Sequence, residues 1–274
     1  MPIDPSAVVA PTARVHPDAV IGPQCVIGEY CVIESDVVMG RANRLEPYVF
    51  VKRWTTLGDE NEISAGTALG TDPLDKNFTG QRSYLRIGSR NRIREHYTIS
   101  RGTQPESETV IGNENYIMTS GHIAHNSVVG NGCTIASCAL VAGHVTVEDR
   151  AFISGGVVVH QFSKVGRLAM IGGNVRVNQD ALPYCLHSGF NIEPAGLNLV
   201  GLRRAGFARE EIAALKQAYR VIFFRNLKLS DALETVEKEI ATEHTLHLVS
   251  FIRGSKRGIP RPRRPGAAAS TDQE

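Results

Sequence analysis

Aliphatic side chains, with one methionine, recur at every sixth position from Ile3 to Val177, apart from Asp75, Gln81 and Pro105. A period of six fits neither an α-helix, which repeats about every 3.6 residues, nor a strand that alternates about every two. It predicts one short strand and one turn per repeat, with one side chain pointing inward from each strand. Three repeats close a coil of 18 residues, and stacked coils form a parallel β-helix.

Small residues accompany this aliphatic column. Glycine often follows the aliphatic residue, as at Gly22 and Gly28, and small residues such as Cys25 and Cys31 lie two positions before it. Glycine suits tight turns, and a small side chain fits a crowded corner. The chain has 26 glycines and only 6% aromatic residues, which is unlike a conventional globular core. We therefore predict an all-β parallel β-helix over residues 1–180.

The column is interrupted twice and ends before the C-terminal third of the chain. Residues 70–86 and 102–110 keep the phase of the repeat, so we expect them to be loops that project from the coils. An irregular connection and a helical segment are predicted over residues 181–252, since the apolar period becomes helical from about residue 208. Residues 253–274 form a basic tail, which we expect to be disordered.

Charge and composition exclude several classes of protein. The net charge of +2 is too small to indicate nucleic-acid binding. The absence of a long apolar run argues against integral membrane association. The N-terminus lacks the basic and apolar regions of a signal peptide, so we expect a cytoplasmic protein. The five cysteines show no CxxC spacing and are expected to be free thiols of a reducing compartment.

Several histidines are predicted to meet on one flank of the coils. Residues one coil apart stack at about 4.8 Å, the spacing of neighbouring strands. His125, in the stretch GHIAHNSVVGNG that also contains His122, therefore lies over Gly143. The expected cluster contains His125, Gly143, His144, His160 and Gln161. Aliphatic ladders would suffice for structure here, so titratable rings at stacked positions indicate a functional site.

Three interpretations of this cluster remain open from the residues alone. The histidines could be ordinary polar side chains on an exposed flank. They could hold zinc, which takes three or four nitrogen, sulfur or oxygen ligands. Alternatively, His125 could remove a proton from a hydroxyl that then attacks an acyl group. In that case the Gly143 N–H would donate to the developing oxyanion.

Longer stretches resemble one family of acyltransferases. The segments HIAHNSVVGNGCTIASCALVAGHVTVEDRAFISGGVVVHQF, IGGNVRVNQDALPY and NLVGLRRAGF closely resemble the UDP-N-acetylglucosamine 3-O-acyltransferases, which carry out the first step of lipid A biosynthesis. RNRIRE and RGT are also similar to that family. The resemblance extends to about residue 250. It implies a left-handed parallel β-helix with C-terminal helices, assembled as a homotrimer with active sites between neighbouring subunits.

The resemblance also implies substrates and residue roles. The donor would be an R-3-hydroxyacyl chain on the phosphopantetheine arm of acyl carrier protein, and the acceptor the 3-hydroxyl of UDP-GlcNAc, with no metal and no cofactor. His125 would be the general base and the Gly143 N–H the oxyanion donor. Gly173 matches the position that limits acyl-chain length, and Asn198 and Arg204 match nucleotide-binding positions. The remaining substrate-binding positions are Asp75, Lys76, His122, His144, His160 and Gln161.

The chain departs from the family pattern at four ligand-facing positions. Asn126 replaces the Asp that usually follows the catalytic His; an Asn can hold the same imidazole tautomer but carries no charge. In the insertion loop, Lys76 lies one position earlier than the lysine of the family, and Asn77 stands at that lysine position. Val200 and Ala205 replace a Glu and an Arg. These changes keep open a related UDP-amino sugar as acceptor, such as the 3-amino analogue. A γ-carbonic-anhydrase-type zinc protein on the same fold, or a weakly catalytic binding paralogue, would also fit the sequence.

Overall fold

In the computed structural model, which describes residues 3–262, the six-residue period becomes a repeating unit of strand and turn. The column residues point inward and are buried, as at Ile21, Ile63, Ile123 and Val159. Burial of aliphatic side chains drives this packing, at roughly 25 cal/mol per Å² of apolar surface removed from water. A single continuous core runs from Ala19 to Ile192 through the stacked coils.

The strands form three sheets, in each of which successive coils contribute one strand. The eleven-stranded sheet contains β1 (Val8–Val9), β4 (Val26–Ile27), β7 (Arg44–Leu45), β10 (Glu62–Ile63), β13 (Arg92–Ile93), β16 (Tyr116–Ile117), β19 (Thr134–Ile135), β22 (Phe152–Ile153), β25 (Met170–Ile171), β27 (Cys185–Ser188) and β28 (Glu193–Leu197). The nine-stranded sheet contains β2 (Arg14–Val15), β5 (Val32–Ile33), β8 (Phe50–Val51), β11 (Ala68–Thr71), β14 (Thr98–Ser100), β17 (His122–Ile123), β20 (Leu140–Val141), β23 (Val158–Val159) and β26 (Arg176–Val177). The eight-stranded sheet contains β3 (Val20–Ile21), β6 (Val38–Met39), β9 (Thr55–Leu57), β12 (Tyr84–Ile87), β15 (Glu108–Ile111), β18 (Val128–Val129), β21 (Thr146–Val147) and β24 (Lys164–Val165).

Up to β27, the pairing of these strands is parallel and keeps the inward column in register. Ile123 of β17 pairs with Ile99 of β14 on one side and with Val141 of β20 on the other. From β1 to β27, consecutive strands of the chain lie in different sheets, so the chain turns a corner after each of these strands. The predicted left-handed parallel β-helix, followed by C-terminal helices, is confirmed.

The first insertion leaves the coils at the corner between the nine-stranded and the eight-stranded sheet. It comprises residues 72–83, because β11 continues to Thr71 and β12 begins at Tyr84. The predicted loop 70–86 was therefore too long at both ends. The first and last residues of the predicted loop belong to β11 and β12, which pair with strands of neighbouring coils. These strand contacts anchor the insertion at each end.

The second insertion leaves the same corner one coil further on. It comprises residues 101–107, because β15 begins at Glu108, inside the predicted loop 102–110. Partners that are 18 residues apart in a plain coil are 30 apart across the first insertion and 24 apart across the second. Both insertions therefore add whole repeats and leave the inward column in phase.

A buried ladder of asparagines stabilises a different corner. Asn43, Asn61, Asn91 and Asn115 stack in consecutive coils and are at most 1% exposed. The side-chain oxygen of each of the first three accepts from the backbone N–H and the side-chain amide of the next, and that of Asn115 accepts from the Cys133 N–H. Because every buried side-chain amide of the ladder finds a partner, the ladder stabilises the stack without the cost of an unpaired amide.

The chain after β26 is more regular than the sequence indicates. The predicted boundary at residue 180 and the irregular connection after it are corrected by β27, which pairs in parallel with β25 and extends the eleven-stranded sheet. β28 then returns antiparallel to β27. The helices that follow are α1 (Leu199–Arg204), α2 (Arg209–Phe224), α3 (Leu229–Glu239) and α4 (Glu243–Arg253). They share a second core around Leu215, Val236 and Leu248.

Part of the predicted disordered tail, residues 253–274, is ordered. Residues 254–262 pack back against the coils, where the Asp180 N–H donates to the Gly258 carbonyl at 2.9 Å and the Ser255 hydroxyl donates to the Asp180 carboxylate at 2.6 Å. The rest of the predicted tail lies outside the described residues. Within residues 3–262, no helix is both long enough and apolar enough to cross a membrane.

Candidate active site

The histidine corner is the set of turns that connect the nine-stranded to the eight-stranded sheet after β17, β20 and β23: residues 125–126, 143–144 and 161–162. The second residue of each turn has positive φ, +58° at Asn126, +59° at His144 and +65° at Phe162. Such angles are unfavourable for most L-residues, although Asn adopts them more readily than others. These tight turns direct successive side chains outward at one-coil intervals.

Asn126 is held by the second insertion. Its side-chain oxygen accepts from the Thr103 N–H at 3.0 Å and from the Thr103 hydroxyl at 2.9 Å. A backbone N–H can only donate, so the amide atom that faces Thr103 is the oxygen. The same oxygen lies 3.1 Å from Nδ1 of His125. Nδ1 therefore carries the proton, and Nε2 of His125 is left as the acceptor.

Gly143 leaves space for the ring of His125, because it has no side chain. A Cβ placed on Gly143 would lie 2.5 Å from Cε1 and 2.7 Å from Nε2 of His125, closer than any real carbon contact. The Gly143 carbonyl accepts from the Phe162 N–H at 3.2 Å. The glycine is thus required by the close approach of the imidazole, in addition to the predicted role of its N–H.

His144 extends the aromatic surface of the corner. Its ring packs edge-on against His125, with centroids 5.3 Å apart, and stacks on Phe162 at 4.8 Å. Burial lowers the pKa of His144, and the nearby His125 acts in the same direction, whereas the Asp75 carboxylate opposes both. Asp75 of the first insertion therefore lies within electrostatic reach of the histidine corner.

His122 lies beside the corner, on the outer face of β17. Its Nδ1 is 2.7 Å from the Thr98 hydroxyl of β14. Its Nε2 is buried and has no hydrogen-bond partner among the described residues. Burial lowers the pKa of His122, although a hydrogen bond with Thr98 opposes this shift. A neutral ring with one unpaired nitrogen can take a further partner.

The other residues expected nearby are more exposed. His160 lies one coil beyond Ala142, with Nδ1 3.0 Å from the carbonyl of exposed Gln161. In the first insertion, the Asp75 carboxylate accepts from the Asn77 N–H at 2.8 Å, which fixes a turn, and Lys76 is exposed. The structure thus brings these residues to the same side of the coils as His125.

Three predicted binding residues lie elsewhere in the single chain. Gly173 is in the turn between β25 and β26, at a different corner; a Cβ there would meet only the Gly155 carbonyl at 3.6 Å, so packing within the chain does not require glycine. Asn198 caps α1 by accepting from the Gly201 N–H and donates to the Leu168 carbonyl. Arg204 is exposed at the end of α1.

Two residues of the RGT stretch were missed as site residues. Thr103 holds Asn126, and Arg101 is buried between the two insertions. The resemblance of this stretch to the family was the available signal, but its contacts depend on folding of the insertions. Over residues 3–262, no group of three His, Cys, Asp or Glu side chains converges as a bound metal ion would require.

The stacked hexad coils and the oriented imidazole define an acyltransferase of the left-handed β-helix class. Residues 180–260 match the family model described as UDP-N-acetylglucosamine O-acyltransferase, domain 2. With 76% of the chain aligned, it is 41% identical to the acyl-(acyl-carrier-protein)–UDP-N-acetylglucosamine O-acyltransferase of Gloeothece citriformis, over 75% of that protein. It is 44% identical to the Alkalilimnicola ehrlichii enzyme of the same name, over 71% of the chain and 76% of that enzyme.

Solved structures agree with this assignment. The UDP-N-acetylglucosamine acyltransferase of Bacteroides fragilis superposes with a TM-score of 0.91 and 38% identity, over 93% of this chain and all of the other. The Campylobacter jejuni enzyme gives 0.83 and 33%, over 95% of this chain and all of the other. The chain belongs to the acyl-(acyl-carrier-protein)–UDP-N-acetylglucosamine O-acyltransferase family.

Proposed function

We propose that this protein transfers an R-3-hydroxyacyl chain from acyl carrier protein to the 3-hydroxyl of UDP-GlcNAc, the first step of lipid A biosynthesis. The observation that carries this proposal is the orientation of His125. Asn126 accepts at its side-chain oxygen, so Nδ1 of His125 is protonated and Nε2 is available as a base. Membership of the family supplies the substrate class.

The proposed reaction proceeds by general-base catalysis. Nε2 of His125 removes the proton of the sugar 3-hydroxyl as its oxygen attacks the thioester carbonyl. The Gly143 N–H donates to the oxyanion that develops on the carbonyl oxygen. The C–S bond then breaks, and the imidazolium returns its proton to the sulfur of the phosphopantetheine thiol. No metal or cofactor takes part in this sequence.

A homotrimer would complete the site. The face of the nine-stranded sheet that carries His122 exposes large apolar side chains, with Phe50 43%, Leu140 44% and Val158 46% exposed. Apolar faces of this kind are typical of surfaces that a partner covers. We propose that a second copy of the chain docks here and that Gly173 of a neighbouring subunit reaches the acyl chain bound near His125.

The nucleotide and the location are part of the same proposal. Asn198 and Arg204 would bind the UDP group, because a guanidinium suits a diphosphate. The asparagine side chain already caps α1, so its part in binding would add to that structural role. All five cysteines are free, which is typical of a reducing compartment, and we propose that the protein works in the cytoplasm.

An acyl-transfer assay tests the proposed reaction. R-3-hydroxyacyl carrier proteins of several chain lengths would be combined with UDP-GlcNAc or its 3-amino analogue. His125→Ala should abolish turnover, whereas His16→Ala, at a half-exposed position in an early coil, should retain it. Full activity of His125→Ala would disprove the mechanism. A preference for the 3-amino analogue would correct the acceptor and keep the mechanism.

A further inference from the structure

Arg101 is a buried cation at the start of the second insertion. Its side chain is only 4% exposed. Its guanidinium carbon lies 5.1 Å from the ring centroid of Trp54 and 5.2 Å from that of Phe78, so the group packs against two aromatic rings. Nη1 contacts the Asp72 carboxylate at 2.5 Å and donates to the Gly70 carbonyl at 3.2 Å.

These contacts join the first insertion to the coils. Asp72 and Phe78 belong to it, Gly70 lies in the strand that leads into it, and Trp54 is the corner residue of the preceding coil. The backbone of Arg101 adds a further contact, because its N–H donates to the Thr71 carbonyl at 3.0 Å. Arg101 therefore attaches the first insertion to the scaffold at several points.

The stability of the fold alone does not explain this residue. Burying a guanidinium costs free energy unless it is fully paired. Nε of Arg101 is buried without a hydrogen-bond partner in the described part of the chain, and the Asp72 carboxylate that balances its charge is 67% exposed. A costly polar arrangement beside a functional site indicates a role in function.

The segment 101–103 links the first insertion to the proposed base. Arg101 holds the insertion at one end of this segment, and Thr103 holds Asn126, the partner of His125, at the other. Between them, a Cβ on Gly102 would lie 2.5 Å from the Ser107 carbonyl oxygen, so the turn is tightly packed. The Gln81 amide of the first insertion also donates to the Thr103 carbonyl.

We propose that Arg101 is a positioning residue that orders the first insertion over the histidine corner, so that Asp75 and Lys76 meet the nucleotide-sugar acceptor. This inference rests on the proposed function for its substrate. Arg101 does not touch the reacting atoms; it fixes the loop that does contact the acceptor. If the first insertion loses its order, acceptor binding should weaken more than the chemical step slows.

The test compares Arg101→Met and Arg101→Lys with the wild-type protein. We expect Arg101→Met to raise the KM for UDP-GlcNAc about tenfold or more, with a much smaller effect on kcat. Backbone hydrogen exchange should become faster in residues 72–83 and stay unchanged in the coils. Arg101→Lys should recover part of the acceptor affinity, because it keeps the charge beside Asp72 but lacks the planar group that packs against Trp54 and Phe78.

Arg86→Met is the matched control. Arg86 also has a carboxylate and an aromatic partner, Glu108 and Tyr84, but its side chain is exposed, so this variant should keep the wild-type KM and exchange pattern. An unchanged KM in Arg101→Met, or faster exchange spread throughout the coils, would overturn the proposal. If the wild-type protein turns over neither acceptor, the proposed function fails, while exchange in residues 72–83 still decides whether Arg101 orders the insertion.

Discussion

His125 and Asn126 are adjacent in one turn, and Nδ1 of the first lies 3.1 Å from the side-chain oxygen of the second. Thr103 of the second insertion donates twice to the same oxygen. The proton on His125 is thereby fixed on Nδ1, although the group that fixes it is neutral. The proposed general base is thus oriented by its neighbours, but Asn126 provides no negative charge beside it.

Asn126→Asp should therefore increase kcat, by about tenfold or more. A carboxylate accepts the same three hydrogen bonds and also stabilises the imidazolium that forms during attack; the opposite change in the serine-protease triad costs about four orders of magnitude. Steady-state kinetics would measure the change. Asn226→Asp is the control, since Asn226 also has positive φ, at +56°, but follows α2, outside the coils. A slower Asn126→Asp enzyme would contradict the proposed role of this pair.

Gly143→Ala should lower kcat about a hundredfold, because the added methyl group displaces the ring of His125. The variant keeps the backbone N–H, so any loss reports the position of the imidazole rather than removal of the oxyanion donor. Single-turnover kinetics and a thermal melt of the same sample would separate chemistry from unfolding. Wild-type kcat in a folded Gly143→Ala protein would show that the ring does not need this space.

Asn91→Ala should destabilise the coils by about 3 kcal/mol, since it leaves buried partners unpaired in the coils on both sides. Chemical denaturation would measure the free energy of unfolding. Asn113→Ala is the comparison, because Asn113 also makes a ladder contact but is exposed to water. It should cost less than about 1 kcal/mol. Equal losses in the two variants would show that burial of the asparagine ladder is unimportant.

Stability should fall as the pH drops from about 6.5 to about 3, in part because of His187. Burial lowers the pKa of His187 to about 3, so the folded protein keeps this ring neutral while the unfolded chain takes up a proton below pH 6.5. Each pH unit in this window costs about 1.4 kcal/mol for a single such group. The contribution of His187 to the free energy of unfolding is fully present above pH 6.5.

Denaturation of the wild-type protein and of His187→Gln at several pH values would isolate this contribution. The Leu182 N–H donates to Nε2 of His187 at 3.1 Å, and a glutamine oxygen can accept the same bond without titrating. The wild-type protein should lose stability relative to the variant as the pH decreases. Parallel curves for the two proteins would mean that His187 does not titrate on unfolding in this range.

The inward column and the stacking of His125 on Gly143 were predictable, because one repeat of six residues determines both the facing and the vertical neighbour of each side chain. The same arithmetic could not locate the asparagine ladder. Asn43, Asn61 and Asn91 occupy positions where the pattern calls only for small residues, and a polar side chain there reads as part of a turn. The burial of these asparagines becomes evident only when stacked partners satisfy their side-chain amides.

The contacts of the insertions were harder to predict for a different reason. Arg101 and Thr103 lie where the repeat is interrupted, so their neighbours are set by the path of the loops and not by the period. Gly173 and Arg204 were hard to place for another reason, because a single chain leaves them away from His125. Their proposed roles depend on a neighbouring subunit, and the order of residues along one chain carries no direct record of that arrangement.

The insertions enter and leave at one corner and return the chain to its original phase. Added length here does not rotate any later strand, so the first insertion can change in length while His125 and Gly143 keep their places in the coils. We therefore expect acceptor contacts made by the first insertion to vary more readily than the positions of His125 and Gly143 in the coils. Exchange of residues 72–83 between members of the family would then change which sugar is acylated without a redesign of the coils.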